Sequence, residues 1–198
     1  MILPNRKLLL IHIPKTGGSS IASALFQSVD IDYKNYIKLP DKIQKKYMAG
    51  ADLKHAPAFQ YQSLMKNYDE YYKFAVVRCP WERFYSQYNW YTNVAGKISI
   101  EKFADMVKGK TVRQHHSQKF FVTKKNSDDI IVDDIFQFYQ IEKVFENFDL
   151  TPQRKKISNR KRRGKKEIDN IVRDLYGEDI DFFGFDENGK ANKNVTTL

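Results

Sequence analysis

The sequence predicts an α/β domain built on a parallel sheet, and three observations lead there. Leu8-Leu9-Leu10-Ile11-His12-Ile13 is a short, nearly continuous apolar run that passes into a Pro14-Lys15-Thr16-Gly17-Gly18 turn and a helix-like segment, Ile21 to Ser28. Lys73-Phe74-Ala75-Val76-Val77-Arg78 repeats the arrangement, ending at Cys79-Pro80 before a second helix-like segment. Apolar runs of this length read as strands buried on both faces, and successive strand–turn–helix units favour parallel pairing.

The elements follow in order. Pro80 suits the first turn of a helix, where its missing N–H is not needed. Trp81, Phe84, Tyr85, Tyr88 and Tyr91 then recur at helical spacing, which predicts one buried face. Between the two units, residues 41–48 and 58–65 predict helices, and residues 99–108 predict another. Residues 130–141 read as extended structure around a turn, with Phe136 and Phe138 alternating. Ile168, Ile171, Val172 and Leu175 form an amphipathic stripe that is expected to end near Gly177. A single domain over residues 1–184 is predicted, with a flexible tail over 185–198 that is rich in Asn, Gly and Lys.

A chain of 198 residues suits one domain, and 41% apolar residues with 14 Phe and 12 Tyr suffice for a core. No apolar run approaches the roughly 20 residues that span a bilayer. The stretch from Leu8 is interrupted by His12 and Pro14 too soon for a signal peptide. Cys79 is the single cysteine, so no internal disulfide forms; this fits a reducing compartment, and a cytoplasmic location is expected. The sequon at Asn194-Val195-Thr196 is then idle. A net charge of +10 favours anionic partners without choosing among nucleotides, acidic glycans, nucleic acid and anionic lipid.

Two motifs lie at the ends of the predicted strands, where open α/β sheets bind ligands. At the first, a turn feeding a helix points backbone N–H groups and a positive dipole end at one spot. Gly17 and Gly18 let the backbone approach an anion, Lys15 adds a cation, and Ser19 and Ser20 add hydroxyls. That describes a phosphate or sulfate cradle; a tight turn with a surface lysine and a serine cap fits the glycine pair equally. It is not the G-x-x-x-x-G-K-[ST] loop of nucleoside triphosphatases, because the lysine precedes the glycines. At the second motif, Arg78 can grip a phosphate as a bidentate fork, and Ser86, two turns into the helix, can reach the same anion.

His12-Ile13-Pro14-Lys15-Thr16-Gly17-Gly18-Ser19-Ser20 resembles the 5′-phosphosulfate loop of carbohydrate-type (heparan/chondroitin-like) sulfotransferases, whose pattern is H-I-P-K-T-G-G-[ST]-S. Val77 to Tyr88 resembles the 3′-phosphate motif of that family, V-R-x-P-x-x-R-x-x-S-x-Y. The resemblance implies a P-loop-like three-layer α/β fold with a central parallel sheet flanked by helices. It implies 3′-phosphoadenosine 5′-phosphosulfate (PAPS) as donor, adenosine 3′,5′-bisphosphate as product, no metal, and a hydroxyl acceptor, most plausibly a saccharide. Lys15 would contact the bridging oxygen and sulfonate, the backbone of Thr16, Gly17, Gly18, Ser19 and Ser20 the 5′-phosphate, and Arg78 and Ser86 the 3′-phosphate.

In-line sulfonate transfer benefits from a positioned base. His55, in Lys54-His55-Ala56, stands between the motifs where similar enzymes carry theirs, and it is the expected base. His115 and His116 are the runners-up as base or acceptor-cleft residues; His12 is expected to be packed inside the first strand. Arg83 is expected in a structural ion pair with Glu82 or another acid, and Cys79 as a packing residue. The basic run from Arg154 to Lys166 has three readings: a solvated face, a polyanion-binding surface, or a donor lid formed by Arg162, Arg163 and Gly164. The lid reading rests on Arg160 to Gly164, which resembles the R-K-G element of some sulfotransferases. No nucleic-acid motif accompanies it, so nucleic acid ranks last. Residues 132–142 resemble the V-D-x-I-x-R-F-E-x-L stretch of the family, with Gln137 where arginine is expected and Tyr139 where glutamate is. The rival functions are a nucleotide kinase and a non-catalytic polyanion-binding protein.

Overall fold

Alternation along three short strands sorts the core into two layers, one on each face of a sheet. The computed structural model describes residues 1–29, 53–109, 112, 115–151 and 165–196. Four strands, β1 (Ile2–Leu3), β2 (Leu8–Ile11), β3 (Tyr72–Val77) and β4 (Asp134–Gln137), lie in the order β1-β2-β3-β4. β2, β3 and β4 are parallel, with Ile11 opposite Ala75 and Val77 opposite Gln137; β1 turns back antiparallel to β2. The fold is therefore the expected α/β type, mostly parallel and flanked by helices.

Leu8, Leu10, Phe74, Val76 and Phe136 face one side, where α1 (Gly18–Gln27) and α6 (Ile141–Asn147) cover them. Leu9, Ile11, Ala75, Val77 and Ile135 face the other. There they meet α2 (Ala58–Leu64), α3 (Pro80–Ala95), α4 (Ile100–Lys108), α5 (Lys119–Val122) and α7 (Lys165–Phe183). Continuous apolar strands are what such double coverage requires. Pro80 opens α3 in its first turn, and Ser99 caps α4 by accepting from the Lys102 N–H at 3.2 Å.

Three expectations are corrected. The last helix does not end near Gly177: its backbone leaves helical geometry at Tyr176 (φ −134°, ψ 23°) and resumes to Phe183. Ile168, Val172, Tyr176, Ile180 and Phe183 are all buried, so the apolar spacing carries through the kink. Within 130–141 the strand is β4, preceded by a single antiparallel bridge from Ile130 to Thr123; a 3-10 turn over Phe138–Gln140 then leads into α6, which begins at Ile141. The segment from 185 on, expected to be flexible, is packed as far as 196. Phe185 and Ala191 are buried, and Gln137 closes two hydrogen bonds on the Ala191 backbone, at 2.7 and 2.8 Å. The helix expected over 41–48 lies outside the described residues.

Candidate active site

The loops leaving β2, β3 and β4 meet at the carboxyl edge of the sheet, and their backbone conformations are specific. Lys15 (φ 68°) and Gly17 (φ 85°) both adopt the left-handed region, which turns the chain abruptly from β2 into α1. The turn is also pressed from two sides. A Cβ on Gly17 would stand 2.8 Å from Phe138 Cε2 and 2.6 Å from Ile141 Cδ1; one on Gly18 would stand 2.2 Å from His12 Cδ2. Space thus calls for glycine at both positions, and φ calls for it at Gly17 as well. α1 begins at Gly18, so the N–H groups of Gly18 and Ser19 and the positive end of the helix front the cradle. Thr16 is buried and donates its hydroxyl to the Ile13 carbonyl at 3.0 Å, which ties the turn back to the end of β2.

Arg78 follows β3 and reaches the first motif directly. Its Nη1 donates to the Lys15 carbonyl at 3.4 Å, its Nε donates to Glu82 at 3.2 Å, and its guanidinium lies 4.3 Å from the Phe138 ring centre. Lys15 Nζ sits 5.7 Å from the centre of the Trp90 ring. Glu82, Ser86 and Trp90 recur every four residues on α3, so Ser86 lies on the helix face bracketed by the contacts of these two cations. Burial holds the Lys15 ammonium below the ordinary lysine range, and the Arg78 and Lys54 charges lower it further. An anion placed here would relieve that strain.

Arg83 is fully buried in a structural ion pair, as the sequence suggested, but its acid is Asp179 on α7 (3.8 Å) rather than Glu82. Its Nε donates to the Pro14 carbonyl at 3.2 Å and its Nη2 to the His116 carbonyl at 2.9 Å. Asp179 in turn accepts the backbone N–H groups of Gln118 (2.8 Å) and Lys119 (3.0 Å). The Gln118 side chain grips Arg78, accepting its N–H at 2.8 Å and donating to its carbonyl at 2.9 Å. Sequence reasoning missed Asp179 and Gln118. For Asp179 a signal existed: it falls two helical turns after Val172, on the buried stripe.

The histidines separate. His55 is half-buried and donates from Nδ1 to the His12 carbonyl at 2.9 Å; the two rings lie 4.5 Å apart, edge to face. Since Nδ1 carries the hydrogen, Nε2 is the basic nitrogen of the neutral ring. His12 is buried against Gly18, so His55, His12 and the start of α1 form one stack. His115 is instead packed edge-on to Phe103 in the core, where burial pushes its imidazole down, and His116 stacks on Phe120 at 4.2 Å.

The departures at residues 137 and 139 have structural uses of their own. Gln137 is buried and holds Ala191, while Tyr139 is exposed with Lys190 Nζ 5.8 Å from its ring centre. Cys79 is half-buried beneath Gly189, where a Cβ would stand 2.6 Å from its sulfur. Arg162, Arg163 and Gly164 lie outside the described residues. Among the described residues, no cluster of three or more His, Cys, Asp or Glu could hold a metal, and no helix is long and apolar enough to cross a membrane.

Comparison with curated proteins and with solved structures finds no match. The family model described as the sulfotransferase family matches residues 1–132, two thirds of the chain, including both cradle motifs and the loops that join them. The chain belongs to the sulfotransferase family.

Proposed function

We propose that the protein transfers the sulfonate group of PAPS to a hydroxyl of a saccharide acceptor. The observation that carries this reading is the direct contact between the two motifs: Arg78 reaches the Lys15 carbonyl across the ends of adjacent parallel strands. Lys15 and the start of α1 then take the 5′-phosphosulfate, and Arg78 with Ser86 takes the 3′-phosphate. In the transfer the acceptor oxygen forms a bond to sulfur while the sulfur–oxygen bond to the 5′-phosphate breaks. Lys15 meets the charge that develops on the leaving oxygen, and His55 Nε2 receives the acceptor proton. The 43% exposed Trp90 beside Lys15 offers an aromatic platform of the kind that suits a sugar ring. The single cysteine supports a cytoplasmic setting.

A thermal-shift comparison tests the donor assignment. Adenosine 3′,5′-bisphosphate is expected to raise the melting temperature at concentrations where ATP, which lacks a 3′-phosphate, does little. An equal or larger response to ATP would favour a nucleotide kinase instead.

A further inference from the structure

Arg83, Gln118 and Asp179 are each completely buried, and together they join the two halves of the cradle from beneath. Burying a charged pair costs desolvation energy, so such a pair is a poor device for stability alone. What this one does is geometric. The Asp179 carboxylate accepts the Gln118 and Lys119 N–H groups at the start of α5, and the Ser117 hydroxyl accepts the next one, from Phe120, at 3.3 Å. That fixes the residue whose amide closes on both backbone groups of Arg78, just past the last β3 residue. The same carboxylate neutralises Arg83, whose fork holds Pro14, immediately before Lys15.

We propose that Asp179 is a positioning residue that sets Arg78 and the Lys15 turn at a fixed separation, acting through Gln118 and Arg83. The inference rests on the donor reading above. The two phosphate ends of the donor are a ribose apart, and a grip preorganised at that spacing binds both without rearrangement. Asp179 lies beyond the residues that the family model matches, so this support comes from the C-terminal helix.

The test uses the full-length chain and compares binding of adenosine 3′,5′-bisphosphate with that of AMP, which lacks the 3′-phosphate. Asp179→Asn is expected to weaken the bisphosphate by about tenfold or more, because one amide oxygen cannot replace two carboxylate acceptors and its NH2 faces donors. Asp179→Glu should recover part of the loss. Gln118→Ala cuts only the link to Arg78 and does not depend on whether the Asp179 variants fold. It should weaken the bisphosphate several-fold and leave AMP unchanged. Folded variants that bind the bisphosphate like the wild type, or a Gln118→Ala loss equal for both ligands, would overturn the proposal. A wild-type chain that binds neither ligand would instead remove the donor reading, and this inference with it.

Discussion

The Arg78 guanidinium stacks on Phe138, 4.3 Å from the ring centre, and the opposite side of the cradle leans on the same ring at Gly17. One aromatic side chain after β4 therefore orients a cation after β3 and limits the turn after β2. Phe138→Ala removes both supports. Adenosine 3′,5′-bisphosphate should bind roughly 3- to 30-fold more weakly, the range of a partly desolvated cation–π contact, by isothermal titration. Unchanged affinity would mean that Glu82 and the Lys15 carbonyl suffice to orient Arg78.

Gly18→Ala should destabilise the protein by about 1–3 kcal/mol, the usual cost of forcing atoms into a filled site. Its Cβ would displace the His12 ring, and through the His12 carbonyl it would disturb His55. Adding His12→Ala should relieve much of the loss, so a denaturation cycle over the two positions should be strongly non-additive.

Lys15 is expected to make donor affinity pH-dependent. Its pKa in the folded protein is lowered, chiefly by burial, so charging it costs more in the fold than in the unfolded chain. That cost is present below the folded pKa and is relieved as pH rises from there to the unfolded value. Lys15→Met should therefore raise the melting temperature of the free protein at neutral pH while weakening the bisphosphate by about 10- to 100-fold. For the wild type, donor affinity should fall with rising pH earlier than the titration of an ordinary lysine predicts. Affinity that stays flat to the ordinary lysine range would contradict this.

His55→Asn separates the proposed role of His55 as base from its anchor. The asparagine NH2 can keep the hydrogen bond to the His12 carbonyl but offers no basic nitrogen. Turnover should drop about 10²- to 10⁴-fold with the bisphosphate affinity intact. If His55→Ala turns over like the wild type while Lys15→Ala is dead, another group takes the proton.

Much of this was legible in the sequence, for identifiable reasons. β2 and β3 announce themselves as apolar runs because both faces are covered, and Gly17 and Gly18 stand where a side chain would collide. The cradle was readable because its parts are local, two short motifs at two strand ends. The supports were not. Gln118 meets Arg78, Asp179 meets Arg83 and Gln137 meets Ala191 across long stretches of chain. Of these three supports only Asp179 leaves a periodic trace, on the buried stripe of α7; Gln118 and Gln137 leave none. Arg83 has the structural ion pair expected of it, with the more distant acid Asp179, because Glu82 is held by Arg78.

The hold that Gln137 and its neighbours keep on residues 185–196 has a consequence away from the cradle. β4 is the last strand of the sheet, and an uncovered outer strand would offer its backbone to any extended chain that met it. Here Thr196 donates its N–H to the Ile135 carbonyl at 2.8 Å and accepts the Ile135 N–H on its hydroxyl at 3.1 Å. The C-terminal segment thus occupies the border of the sheet at Ile135, where it takes the backbone groups that an incoming strand would need.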